Sequence, residues 1–159
     1  NTKQSLSSLA NLMVFAAGAL FLVAPAQAAS NAEGQLTWLT DFDAAKAEAK
    51  AQSKPILVDF TGSDWCGWCI RLDKEVFSQQ AFQEYATENL ILLEIDFPRK
   101  KKLSDELKAQ NKALAKKYGV RGFPTILLVD AEGKVIQKTG YKRGGAAKYV
   151  EHLKGLLSE

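Results

Sequence analysis

Cys66 and Cys69 stand in Trp65-Cys66-Gly67-Trp68-Cys69 and are the only two cysteines of a 159-residue chain. Two thiols at this spacing can exchange disulfides. One thiolate attacks a sulfur of the target, and the other thiol resolves the mixed disulfide. A bridge between them closes so small a loop that it constrains little of the unfolded chain, so a structural role explains the pair poorly. Zinc is the usual competitor for Cys-x-x-Cys, but a tetrahedral site takes four ligands. The chain offers the two cysteines and one distant histidine, His152. No metal is expected, and no cofactor is called for.

A free cysteine has a pKa of about 8.5 and is only slightly ionised at neutral pH. Something must favour the thiolate. The nearly all-apolar run Ile56–Phe60 reads as a strand buried on both faces. Thr61-Gly62-Ser63-Asp64 is a loop, and Ile70 to Phe77 has helical spacing. This order places Cys66 at a helix N-terminus, where unpaired N–H groups and the helix dipole favour negative charge. Cys69 follows nearly one turn later and lies beneath it. Cys66 is therefore expected to be the exposed attacker and Cys69 the buried resolver. Trp65 and Trp68 are expected to form an apolar apron for a polypeptide substrate. Core packing is the alternative for Trp65, whereas Trp68 should face outward.

The remaining elements follow from pattern and caps. A helix over Ala44–Gln52 starts from a capping box at Thr40–Asp43. Ser78 is expected to cap a helix through about Thr87, and Leu90–Ile95 is a second buried strand. A helix from Ser104 turns Leu107, Leu114 and Tyr118 to the core and ends at Gly119. Thr125–Val129 and Lys134–Thr139 are strands joined by the turn Asp130–Gly133. A last helix after Gly144-Gly145 carries Tyr149, Leu153 and Leu156 on one face. The order α-β-α-α-β-α-β-β-α implies an α/β fold with a central mixed sheet flanked by helices on both faces.

Apolar residues make up 47% of the chain and charged residues 25%, as in an ordinary globular protein. The net charge of +3 is too small, and the basic residues too scattered, to argue for nucleic acid. Residues 1–28 carry a single charge, Lys3, and Leu12 to Ala24 is an unbroken apolar run. Pro25 and the small-x-small triplet Ala26-Gln27-Ala28 follow, so the segment reads as a secretory signal cut after Ala28. An uncleaved anchor is the alternative, although a span needs about 20 apolar residues. The expected organisation is a signal peptide at 1–28, a linker at 29–35 and a domain at 36–159, exported to the periplasm. Arg99–Lys102 reads as a solvated loop, with a docking patch for an acidic partner or an anionic membrane as the alternative. His152 and Arg71 are expected at the surface. Asp64 either hydrogen-bonds in the active-site loop or merely solubilises it.

Val58-Asp59-Phe60, the Trp65–Cys69 motif and Gly122-Phe123-Pro124-Thr125 stand in the order of the thioredoxin family, which the chain resembles from about Leu36 onward. Thr61–Cys66 and Ile95-Asp96-Phe97-Pro98 resemble a narrower group, the exported bacterial thioredoxin-like reductases or isomerases of the DsbH-like kind. The resemblance implies a thioredoxin fold and a protein-disulfide reductase or isomerase. It also implies roles for single residues. Pro124 would be a cis-proline beside the thiols, touching substrate backbone, with Phe123 just before it also meeting substrate. Gly67 and Trp68 would tune the redox potential. Asp59 would be the buried acid that takes the proton from Cys69. Three departures stand out. Asp59 lies one residue further from Cys66 than is common, Gly67-Trp68 replaces Gly-Pro, and Leu92 replaces the lysine that usually neighbours the acid. Without that cation Asp59 should be harder to ionise. The implied partners are disulfide-bonded or misoxidised proteins and a membrane thiol-electron donor, met by a monomer. A thiol oxidase, a carrier dedicated to one partner such as cytochrome c maturation, and a holdase that uses the groove alone are the competing readings.

Overall fold

The computed structural model describes residues 36–158. The expected signal peptide and linker lie outside the described residues. In chain order the elements are β1 (Trp38–Leu39), α1 (Phe42–Gln52), β2 (Ile56–Thr61), α2 (Gly67–Leu72), a π-helical turn (Asp73–Phe77), α3 (Gln80–Asn89) and β3 (Ile91–Asp96). Then come α4 (Asp105–Lys117), β4 (Thr125–Val129), β5 (Val135–Thr139) and α5 (Gly145–Leu157). The strands form one mixed sheet in the order β1-β3-β2-β4-β5. β1 and β2 run parallel to β3, while β4 runs antiparallel to β2 and β5 antiparallel to β4.

Strand β2 is central because all six of its residues are buried. Its alternation sorts two cores. Ile56, Val58 and Phe60 join Phe42, Ala45 and Ala49 of α1 and Leu114 of α4. Leu57 faces the other way and joins Leu72, Phe77 and Phe82 with Tyr149 and Leu153 of α5. Asp59 shares the parity of Leu57, so the sheet delivers a carboxylate to the α2–α5 side.

This architecture is the expected thioredoxin fold, with local differences. Strand β1 was not expected: two residues, Trp38 and Leu39, pair with Leu92 and Leu93, too short a run to leave a periodicity. The α1 cap is Asp41 rather than Thr40. The Asp41 carboxylate accepts the Ala44 N–H at 2.7 Å, because the helix must begin at Phe42 to bury that ring. Ser78 does not cap α3, which starts after Gln79. Its N–H donates to the Asp73 carbonyl and its hydroxyl to the Asp73 carboxylate, so it closes the preceding π turn instead. Ser104 caps α4 and Gly119 follows its end with φ +61°, as expected. His152 is corrected: it is half-buried, and its Nε2 lies 2.8 Å from the Thr139 hydroxyl where α5 packs on β5.

Gly133 closes the β4–β5 turn at φ +82°, and a Cβ there would come 2.8 Å from the Phe42 ring. Gly133→Ala should therefore destabilise the domain by about 1–3 kcal/mol. Asp41→Ala, which only removes a cap, should cost about 1 kcal/mol. Denaturant unfolding of the oxidised chain measures both. Equal midpoints for Gly133→Ala and wild type would contradict the packing given for this turn.

Candidate active site

Strand β2 ends at Thr61, and a tight loop carries the chain to the cysteines. The Cys66 N–H donates to the Gly62 carbonyl at 2.8 Å, which turns the backbone into α2. Cys66 is the N-cap of α2, and its sulfur accepts the Cys69 N–H at 3.3 Å. The two cysteines are disulfide-bonded, with Cα atoms 5.2 Å apart. The expected contrast in exposure does not hold in this state: Cys66 is 7% exposed and Cys69 5%. The bond brings the two sulfurs against each other, so each covers the other. They differ instead in surroundings, since Cys69 lines an inner cavity whose walls do not include Cys66.

Two carboxylates fasten the loop before the cysteines to the segment after β3. Asp96, buried at the end of β3, accepts the Ser63 N–H at 2.9 Å and the Ser63 hydroxyl at 2.6 Å. In the opposite direction, Asp64 accepts the backbone N–H groups of Arg99, Lys100 and Lys101 at 2.9, 2.6 and 3.0 Å. These bonds, led by that from Arg99, hold the Asp64 carboxyl below the usual carboxylate range. Asp64 thus hydrogen-bonds in the active-site region. The Trp65 indole N–H donates to the Phe97 carbonyl at 2.7 Å, and the Arg99 guanidinium sits 3.9 Å from the Trp65 ring centre. Trp65 is half-buried between these loops, so packing accounts for much of its surface. Gly62 makes the room: a Cβ there would come 2.5 Å from the Trp65 ring. Nothing in the sequence pattern singled out Gly62, Ser63 or Asp96 for this arrangement. Acceptors spaced 33 residues from their donors leave no local signal.

The Phe123–Pro124 bond is cis. Thr125 pairs with Phe60 across β2 and β4, so the Pro124 turn and the cysteine loop leave the same end of the sheet. The Phe123 ring meets Trp65 edge-on at 6.0 Å and lies 5.2 Å from Phe97. Trp68 is 50% exposed, as expected from its place between the thiols, and Ile70 beside it is 48% exposed. Trp68 rests against Tyr141 at 5.2 Å, with the Arg71 guanidinium 5.5 Å from its ring. Glu75 holds both supports, accepting from Arg71 Nε and from the Tyr141 hydroxyl, each at 2.6 Å. Arg71 is at the surface, as expected, yet it also braces Trp68. Tyr141 and Glu75 were missed, since only tertiary packing brings them to Trp68. Above Gly67 there is open space.

Asp59 lies below this rim. It lines a cavity of about 260 Å³ together with Cys69, Asp73 and Glu94. Its Oδ1 is buried with no hydrogen-bond partner among the described residues. Its register partner on β3 is Glu94, while Leu92 is a buried core residue. Burial raises the Asp59 carboxyl well above the usual range, and Glu94, Asp73 and Asp96 raise it further. Burial, then Asp96, also raises Glu94. The site therefore presents two linked sulfurs at a helix start, an apolar rim around them and a carboxyl beneath that favours holding its proton.

Comparison with known proteins agrees with this geometry. A family model described as a thioredoxin-like domain matches residues 42–154. The disulfide bond reductase DsbH of Chlamydia pneumoniae is 37% identical over 126 residues, which cover 79% of this chain and 75% of that protein. The thiol:disulfide interchange protein DsbD of Yersinia pestis (strain Pestoides F) is 34% identical over 108 residues. That match takes in 66% of this chain but only 16% of DsbD. A solved DsbH oxidoreductase superposes with a TM-score of 0.75 at 37% identity, over 79% of this chain and 86% of that one. Sheet order, paired sulfurs and sequence likeness thus converge, and the chain belongs to the thioredoxin-like family, as one of its thiol–disulfide oxidoreductases.

Proposed function

We propose that the chain reduces protein disulfides outside the cytoplasm, with Cys66 as the attacking sulfur and Cys69 as the resolving one. The observation that carries this reading is the asymmetry of the pair: Cys66 caps α2, whereas Cys69 lines the cavity that holds Asp59. Once the pair is reduced, the Cys66 thiolate attacks a substrate disulfide. One substrate sulfur leaves as a thiolate, and a mixed disulfide forms. Asp59 releases its own proton to water, takes the Cys69 proton as a carboxylate, and the Cys69 thiolate attacks the Cys66 sulfur. The Cys66–Cys69 bond forms, and the second substrate sulfur leaves as a thiolate. The pair has lost two electrons, and a dithiol donor must restore them. Trp65, Trp68, Gly67, Phe123 and Pro124 form the surface on which the substrate chain lies, Gly67 leaving room for its backbone.

The reducing direction is supported by the likeness to the disulfide bond reductase DsbH. Export rests on the leader-like residues 1–28, with 29–35 as linker and 36–159 as the working domain. Among the described residues no helix is long and apolar enough to cross a membrane. A membrane thiol-electron donor would return the two electrons to the pair. We place the domain in the periplasm, acting as a monomer on disulfide-bonded or misoxidised proteins.

Insulin-disulfide reduction with a thiol donor tests the reading. Wild type should exceed the thiol alone, and Cys66→Ser should fall to that background. Full activity in Cys66→Ser would sink the assignment. Equilibration with glutathione tests direction, since a reductase pair resists reduction by glutathione and an oxidase pair accepts it readily.

Asp59→Asn should slow the resolving step by about 10²-fold, in the range of general-base catalysis. Mixed disulfide should then accumulate in a quenched reaction, while the Cys66 alkylation rate changes far less.

Stability gives a separate check. Folding raises the Asp59 pKa from its ordinary 3.8, so the folded state holds a proton that the unfolded chain has lost. Stability of the oxidised domain should fall as pH rises from about 4 to the raised Asp59 value, and Glu94 acts in the same sense. One such proton gives a slope of at most about 1.4 kcal/mol per pH unit. Asp59→Asn should flatten the curve and raise stability at neutral pH. An unchanged curve would show that Asp59 is not the titrating group.

A further inference from the structure

We propose that the basic segment after β3 is a docking surface for an acidic, partly apolar stretch of the polypeptide partner. The inference rests on the proposed disulfide reductase activity and names the partner chemistry that goes with it. Residues 99–112 hold six Lys or Arg and two acidic residues, a net +4, whereas the whole chain carries +3. The segment is one of the strongly basic stretches of the chain, and it is the one fastened to the loop that leads to Cys66. Its backbone is fastened to the active-site loop by the three N–H bonds to Asp64, so the charges are held in place rather than trailing in solvent.

The shape beside it is also defined. A groove of about 400 Å³ lies between Phe97, Pro98 and Leu103 and the side chains of Lys101, Lys108 and Lys112. Those lysines are exposed, and the three apolar residues half-buried. The one carboxylate on the groove wall, Asp96, is buried and already engaged by Ser63. Lys108 has an ion pair with Asp105 at 2.9 Å, but both groups are solvated and the pair is weak. Phe97 carries the groove back to the cysteines, since its ring packs on Phe123 and Phe123 packs on Trp65. A partner whose disulfide lies at Cys66 can therefore extend along this aromatic strip into a basic-rimmed apolar groove. Glu or Asp beside Leu or Phe meets both parts. An anionic membrane would meet the charge alone, and nothing in a bilayer surface matches an apolar groove continuous with the thiols.

The test uses the full chain and two readouts. Docking is read by fluorescence anisotropy with cysteine-free peptides of equal length, one with Glu and Leu, one with Lys and Leu. Chemistry is read by reduction of the uncharged bis(2-hydroxyethyl) disulfide by the chain after its cysteine pair has been reduced with dithiothreitol and the reagent removed. At low salt the acidic peptide should bind about tenfold or more tighter than the basic one, and the gap should close at high salt. Replacing Leu by Ser in the acidic peptide should weaken it several-fold. The triple variant K101E/K108E/K112E should reverse the charge preference and leave reduction of the neutral disulfide unchanged, which also shows that it is folded. Equal binding of the two peptides, or the same preference in the variant, overturns the proposal. So does charge-dependent binding to phosphatidylglycerol vesicles without peptide discrimination, which would assign the patch to a membrane. Loss of neutral-disulfide reduction in wild type would instead refute the reductase reading, whatever the anisotropy shows.

Discussion

The clasp between the cysteine loop and the segment after β3 is the constraint from which the geometry of the site follows. Ser63 donates twice to Asp96, Asp64 accepts three backbone N–H groups from residues 99–101, and the Trp65 indole donates to Phe97. Each carboxylate meets N–H or O–H donors, so the bonds are charge-assisted and stronger than neutral ones. A loop one residue longer than the common thioredoxin pattern would otherwise have freedom to wander. Fastened at three consecutive residues, it delivers Cys66 to the start of α2. It also sets Trp65 under Arg99 and against Phe123, and fixes the basic segment beside the thiols.

Below that rim the electrostatics run the other way. Asp59 comes from the most buried strand of the sheet and finds Glu94 as its register partner, with Asp73 sharing the cavity. Burial and neighbouring carboxylates hold Asp59 and Glu94 toward their protonated forms. In the proposed resolving step Asp59 first releases its own proton and then takes that of Cys69. Asp59 and Cys69 line the same cavity. Positive charge outside and carboxyl groups inside thus give the two cysteines different environments, even though their exposures are nearly equal.

Much of this was legible in the residues. The Cys-x-x-Cys pair states its own chemistry, because two thiols without further ligands have few other uses. The all-apolar run Ile56–Phe60 and the Thr125–Val129 run announce buried strands by their length and lack of polar interruption, and Ser104 and Gly119 mark both ends of α4 by cap chemistry. The cis bond at Pro124 followed from resemblance and is present. Where local reading failed, a distant partner had intervened. Ser78 turned back to Asp73, Asp41 rather than Thr40 capped α1 because Phe42 had to be buried, and His152 was drawn against Thr139.

The sequence by itself determined the fold class and the thiol chemistry, since both depend on periodicity and on residues three positions apart. Only the tertiary structure decided what surrounds those thiols. It set Glu94 rather than a cation beside Asp59, braced Trp68 with Tyr141 and Glu75, and tied Asp64 to a basic segment 35 to 37 residues away. The physical reason is that strand register and loop closure bring together charges that are remote in the chain. Their interaction depends on distance in space, which no local pattern encodes.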